Sequence, residues 1–170
     1  MTADPGRPGS DGHIGRVRAI LGSHLLVVPG VACAIVDQGD RLLMMRHAES
    51  GRWVLPGGAI EPDEQPAAAA VREAREETGI EVRPLTIVAV DGGPEHHQRY
   101  RNGDEVSYVT TVFRCEPIGG TLEGDGDETL ELRWVPRADV PALEPLAPWV
   151  ASLLPHLDDD VARFEAPPTD

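Results

Sequence analysis

At 170 residues the chain has room for one ordinary domain with a real core. Hydrophobic residues make up 41% against 26% charged, and no apolar run nears the roughly 20 residues needed to span a bilayer, which argues against a membrane protein. Fifteen basic against 29 acidic residues leave a net charge of −14, so a positive field for tracking a nucleic-acid backbone is missing and no duplex nucleic acid is expected as a partner.

All the basic residues are arginine, which removes Schiff-base lysine chemistry and any P-loop lysine. Phosphate, if handled here, falls to Arg, backbone N–H groups or metal. Cys33 and Cys115 both sit in apolar segments with no CxxC partner and no flanking base to lower a thiol pKa. With no secretory signal pattern ahead of them, they read as reduced core residues of a cytoplasmic protein.

In chain order, Met1 to Gly12 is Gly, Pro, Asp and Ser without apolar periodicity and reads as a tail. Ile14, Val17, Ile20 and Leu21 predict a short helix within Ile14 to Leu26. Val31 to Val36 and Leu42 to Met45, split by Asp37-Gln38-Gly39-Asp40, predict a hairpin. Gln65 to Thr78 predicts the clearest helix, with Pro66 where a first turn tolerates it and Gly79 where a helix stops. Glu81 to Val90, Val106 to Cys115 and Leu130 to Val135 read as strands, with a turn at Asn102-Gly103. Pro145 to Leu154 predicts a last helix covering the sheet through Leu146, Trp149, Val150, Leu153 and Leu154. From Asp158 to Asp170 the chain is acidic and Pro-bearing, a second tail, which leaves a domain at 13–157.

On a wheel at about 100° per residue, Ala67, Ala70, Val71, Ala74 and Thr78 gather on one side of the Gln65 to Thr78 helix, and Glu73, Glu76 and Glu77 on another. Like charges at this spacing, near a helix C-terminus, oppose helix stability. For a bare acidic string the ordinary reading is a solvated face, partly compensated by the Arg72/Glu76 spacing. Upstream, however, stand Gly57 and Gly58, which let backbone approach a ligand closely, followed by Glu61 and Glu64. Clustered hard oxygens call for Mg²⁺, with Mn²⁺ as a substitute.

Gly58, five residues, Glu64, seven residues, then Arg72-Glu73-Ala74-Arg75-Glu76-Glu77-Thr78-Gly79-Ile80 resembles the Nudix box of Nudix hydrolases. Its one departure is Ala74, where the family usually carries a larger aliphatic. Trp53-Val54-Leu55-Pro56-Gly57-Gly58 and Arg133-Trp134-Val135-Pro136 are also similar to the family, so the resemblance runs from about Gly30 to Leu143. It implies an α/β fold, a Nudix-like α/β/α sandwich with a mixed sheet between the box helix and the C-terminal helix. It implies hydrolysis of a nucleoside diphosphate linked to another moiety by water and divalent cations, the partner being that small nucleotide, with a homodimer left open.

By the same resemblance Glu73 and Glu77 are metal ligands, Glu76 a further ligand or the base, the Gly58 carbonyl an additional oxygen, Glu64 a loop support, and Arg72 the group that orients Glu73. The base comes either from the box or from a later loop, where Glu128 and Glu131 are candidates, with an acidic turn as the alternative reading of Gly124 to Glu131. Arg46 and Arg52 flank the expected pocket mouth and can meet phosphate, Tyr100 can stack on a base, and Tyr108 points inward from the next strand. Trp53 reads as packing more than pocket lining. His96-His97 is not a metal pair, because adjacent side chains diverge on any regular backbone. Two rivals remain: a Nudix-fold binding module that senses a nucleotide, which would tolerate loss of box glutamates, and an isomerase on the same fold, for which no residue set stands out.

Overall fold

The structure is a computed structural model that describes residues 12–100 and 102–166. Its elements are α1 (His13–Leu21), β1 (Leu26–Ile35), β2 (Arg41–His47), β3 (Trp53–Val54), α2 (Pro66–Thr78), β4 (Ile80–Asp91), β5 (His97–Arg99), β6 (Glu105–Gly120), β7 (Thr129–Pro136) and α3 (Pro148–Leu153). Two sheets form: β1-β6-β4 with β5 added to β6, and β3-β2-β7. In the first, β1 runs parallel to β6 and β4 antiparallel to it, so the sheet is mixed; the second is antiparallel throughout.

The expected hairpin is therefore only a turn. Asp37 Oδ1 accepts from the amides of Gly39 and Arg41, and Val36 bridges Leu42, but the strands then part into different sheets. The reason lies in the side chains. Val31, Cys33 and Ile35 of β1 pack toward α2 with Ala69, Ala70, Ala74, Phe113 and Cys115, while Ala32, Ala34 and Val36 pack toward α3 with Val112, Val150 and Leu153. A strand buried on both faces reads as a continuous apolar run and takes a central place, here beside β6. The α/β/α sandwich holds, with α2 and α3 on opposite faces.

Local departures have equally local causes. α1 ends at Leu21, and its buried residue is Arg18 rather than the apolar set, Ile20 being exposed. The Arg18 guanidinium donates to the carbonyls of Gly22, His24 and Glu105 and faces Asp104, so the helix is held by charge and hydrogen bonds. On α2, Ala69, Ala70, Ala74, Glu77 and Thr78 are buried and Ala67 is exposed. α3 starts at Pro148 because Pro145 to Ala147 is extended beside β3: Trp53 N donates to Pro145 O at 2.8 Å and Ala147 N to Trp53 O at 3.0 Å.

The expected N-terminal tail lies outside the described residues except for Gly12, the residue that caps α1. The stretch after Asp158, expected to fray, instead reaches β4, where Arg163 N donates to Val88 O at 2.7 Å and Val90 N to Arg163 O at 3.1 Å. Residues 167–170 lie outside the described residues.

Because Ala74 has no exposure and sits among Cys33, Ile35 and Phe113, Ala74→Asp places an unpaired carboxylate in the core. That burial costs several kcal/mol against the about 5–15 kcal/mol that hold a domain together. The expected outcome is aggregation or loss of the cooperative melt in calorimetry and size-exclusion chromatography; a soluble variant with an unchanged melting temperature would contradict this packing.

Candidate active site

The loop before α2 lies along the edge of β1 that β6 does not occupy. Cys33 N donates to Pro56 O at 2.7 Å, Val31 N to Gly58 O at 2.9 Å, and Ile60 N to Pro29 O at 3.1 Å. This close approach explains the two glycines: a Cβ on Gly57 would meet Val31 O at 2.2 Å, and one on Gly58 would meet Glu73 Oε1 at 2.5 Å. Pro66 opens α2, and Gly79 closes it in the left-handed conformation at φ 70°.

The helix divides the three carboxylates that the wheel places together. Glu73 turns to Gly58. Glu77 is buried and accepts the Gly57 N–H at 2.7 Å, a contact that exists only because the loop folds over the last turn of α2. Glu76 turns outward, its side chain 60% exposed and 3.1 Å from Arg72.

Arg72 binds the cluster. Its Nε and Nη2 donate to the two oxygens of Glu64 at 2.8 Å each, its Nη1 to Glu73 and Glu76, and its Nη2 also to Ala59 O at 3.0 Å. The paired bonds from Arg72 hold the Glu64 carboxyl below its usual range. Glu64 in turn accepts the Glu61 amide at 3.0 Å, which fixes the loop.

Burial pushes the Glu73 carboxyl up, against the pull of Arg72. Glu77 is pushed up to about 9, chiefly by burial and further by Glu73, Glu128 and Asp125, with only the Gly57 N–H opposing. A buried carboxyl raised in part by the charge of a half-buried neighbour, with the Gly58 backbone close to that neighbour, forms a donor set that fits a hard divalent cation. Among the described residues no three Asp, Glu, His or Cys side chains form a closed metal cage. Glu73, Glu77 and the Gly58 carbonyl are the groups that could hold a metal here.

Of the two candidate carboxylates beyond the box, the structure brings one to it. Glu128 is pushed up by burial and by Asp125 and Asp127, and its charge in turn raises Glu73 and Glu77. Its loop is pinned: Asp125 Oδ1 accepts the amides of Asp127, Glu128 and Thr129 at 3.0, 3.1 and 3.0 Å, and Thr129 Oγ1 donates to Glu77 O at 3.3 Å. Glu131 pairs with Arg133, whose guanidinium lies 5.0 Å from the Trp53 ring centroid. Trp53 is buried as packing.

Arg46 Nε donates to Gly51 O at 3.2 Å, and Arg52 is exposed on the same turn. The Tyr100 and Tyr108 hydroxyls share a 2.8 Å hydrogen bond, and the Tyr108 ring lies against Gly30, whose own Cβ position is 3.3 Å from Gly58 O. Burial pushes both phenols up. His96 and His97 diverge to Trp149 and Glu105. Sequence reasoning missed the bracing by Asp125 and Thr129; an Asp two to four residues ahead of the amides it caps was the available signal.

A carboxyl raised from an unfolded value near 4.5 to about 9 binds more protons in the native state than in the unfolded chain. Stability from Glu77 is thus fully present below about pH 4.5 and is lost as pH rises toward 9. In metal-free protein, Glu77→Gln should melt progressively higher than wild type as pH rises from 5 to 8. Parallel melting curves across that range would show that Glu77 is not desolvated.

A match to the NUDIX domain covers residues 27–157. The chain is 38% identical to a protein of Streptomyces ambofaciens named "MutT-like protein", over 62% of this chain and 61% of that one. It is 32% identical to the mouse protein named 8-oxo-dGDP phosphatase NUDT18, over 65% of this chain and 33% of that one. This chain therefore spans about three-fifths and one-third of those relatives. Among solved structures, a MutT NUDIX hydrolase from Burkholderia pseudomallei superposes with a TM-score of 0.64 at 26% identity, over 77% of this chain and 98% of that one. No helix among the described residues is long and apolar enough to cross a membrane. Members of this family generally use divalent metal and act on small nucleotide substrates. With the box spacing complete, its glutamates gathered around the glycine loop and the match running through most of the sequence, the chain belongs to the NUDIX family.

Proposed function

We propose that this protein is a Mg²⁺-dependent pyrophosphohydrolase, with Mn²⁺ as a substitute, that cleaves a nucleoside diphosphate linked to another moiety, including nucleoside triphosphates. The observation that carries the reading is the pair of buried Glu77 and half-buried Glu73, one turn apart against the Gly57-Gly58 loop and braced by the Gly57 N–H and Arg72. Glu73, Glu77 and the Gly58 oxygen would hold the cation, and Glu76, exposed and paired with Arg72, would be a further ligand. When bound, a divalent cation supplies Lewis acidity and shields the diphosphate from these carboxylates. The buried, reduced cysteines fit a cytoplasmic setting.

The chain's own groups perform the remaining work. Arg72 holds Glu73 in place. Arg46 and Arg52 at the mouth neutralise the phosphates, the Gly57-Gly58 loop and the Tyr100 hydroxyl position the substrate, and Glu128 takes the proton of the attacking water as the phosphoanhydride P–O bond breaks. Glu128 is preferred over Glu131 because the neighbouring Thr129 bonds the Glu77 carbonyl, whereas Glu131 is paired with Arg133. It is preferred over Glu76 because Glu76 is engaged by Arg72. A nucleotide-sensing module is the weaker reading, since every box carboxylate is present and held in place.

Assays of nucleoside triphosphates, ADP-ribose, nucleotide sugars and dinucleoside polyphosphates with Mg²⁺ or Mn²⁺, reading nucleoside monophosphate, pyrophosphate and phosphate, test the activity; no turnover on any of them supports the sensing module. Glu77→Gln is expected to abolish most turnover under saturating Mg²⁺ while the fold survives, and wild-type rates would overturn the ligand assignment. Glu128→Gln is expected to reduce kcat roughly 10²- to 10⁴-fold while Mg²⁺ affinity stays within threefold, the signature of a lost base. If Glu128→Gln and Glu131→Gln both keep near-normal kcat, the base returns to Glu76.

A further inference from the structure

The strand that follows the acidic loop carries a bulge where it meets the box helix. β2 and β7 pair in step from Arg41 with Pro136 to Arg46 with Glu131, but His47 then pairs with Thr129, which leaves Leu130 as the extra residue. On a regular strand Leu130 and Leu132 would share a face and Thr129 would take the other. The bulge instead sends Leu130 outward, 60% exposed, and brings Thr129 to the side of Met45, the partner of Leu132. There the Thr129 hydroxyl meets Met45 Sδ at 3.2 Å and Glu77 O at 3.3 Å. Bulges beside active sites re-aim side chains in this way.

Ahead of the bulge, one carboxylate oxygen sets the course of the main chain. Of the three successive amides that Asp125 Oδ1 accepts, the middle one is that of Glu128, at 3.1 Å. On its other side the Glu128 carbonyl accepts the Ala48 N–H at 2.8 Å, so the peptide groups flanking this side chain are both held. The loop also closes on itself: a Cβ on Gly124 would meet Thr129 Cγ2 at 3.1 Å, and Gly126 turns the tip at φ 79°. Asp125 is exposed, so its part lies in the shape of the loop rather than in the core.

We propose that Asp125 is a positioning residue for the reaction: its side-chain oxygen fixes the Glu128 main chain so that the Glu128 carboxylate stands ready to take the proton from water. The inference rests on the base role proposed for Glu128 and adds the residue that aims it. A base works only within hydrogen-bond reach of the proton it removes, and a misplacement of about 1 Å can cost on the order of 10²-fold in rate. Gly124 and Gly126 flank Asp125, so the backbone dihedrals alone do not fix the direction of the chain here. Three bonds to one charged oxygen supply that direction. Asp127, also exposed, enters the arrangement through its amide, which makes its side chain the natural control.

The test measures kcat and KM with saturating Mg²⁺ for dGTP, ADP-ribose, UDP-glucose and diadenosine tetraphosphate in wild type, Asp125→Ala, Asp125→Asn, Asp127→Ala, Glu128→Gln and the double variant Asp125→Ala/Glu128→Gln. Asp125→Ala is expected to lower kcat at least tenfold, with KM and the Mg²⁺ midpoint within threefold of wild type. Asp125→Asn, whose side-chain oxygen can accept the same amides, should keep kcat within threefold. Asp127→Ala, which removes a neighbouring charge and none of these bonds, should do the same. In the Glu128→Gln background, Asp125→Ala should cost less than twofold more, because there is no longer a base to aim. Wild-type kcat in Asp125→Ala would overturn the inference, and so would an equal loss from Asp125→Ala with and without the Glu128 carboxylate. Should the alanine variant fail to fold, Asp125→Glu, which keeps the charge and moves the oxygen, takes its place with the same expected loss and the same overturning outcomes. Normal kcat in Glu128→Gln, or no wild-type turnover of any of the four nucleotides, would overturn the underlying reading and this inference together. A large loss in Glu128→Gln beside wild-type rates in Asp125→Ala would overturn this inference alone.

Discussion

The site depends on one guanidinium. Arg72 meets Glu64, Glu73 and Glu76 and the Ala59 carbonyl at once, joining the loop before α2 to the helix itself. Its planar fork suits this task, because two parallel donors can hold one carboxylate while a third reaches another; a lysine ammonium offers no such geometry. Without it, three acids and a carbonyl would be packed together with no organised positive charge among them. The glycine loop, the inward turn of Glu73 and the outward turn of Glu76 all follow from that fork.

The second constraint is the double burial of β1. A strand with Val31, Cys33 and Ile35 toward α2 and Ala32, Ala34 and Val36 toward α3 occupies both faces, so the first sheet is covered by a helix on each side. The edge of β1 not taken by β6 then accepts the 55–60 loop through backbone hydrogen bonds. The box loop is thereby positioned by main chain, pressed between β1 and the last turns of α2.

Much of this was legible in the sequence because it is local. The spacing from Gly58 to Ile80, the Pro66 start and the Gly79 stop of α2 depend on neighbours within a few turns. What escaped depends on contacts distant in sequence. Nothing in a helical wheel tells that Glu77 is covered by Gly57, twenty positions away, or that Arg18 rather than Ile20 anchors α1 through Glu105. The separation of β1 from β2 was hidden for the same reason, since apolar runs on either side of a polar turn look alike whether their strands pair or diverge.

The bracing of the acidic loop bears on how the molecule breathes. Asp125 caps three successive amides, Thr129 reaches the Glu77 carbonyl, and Glu123 N donates to Thr78 O at 2.9 Å, so the loop that carries Glu128 is fastened to the end of the box helix at both of its ends. Segments joined in this way open together rather than separately. The amides of 127–129 and those of the last turn of α2 are therefore expected to exchange as one cooperative unit, so that whatever loosens the helix end also moves Glu128.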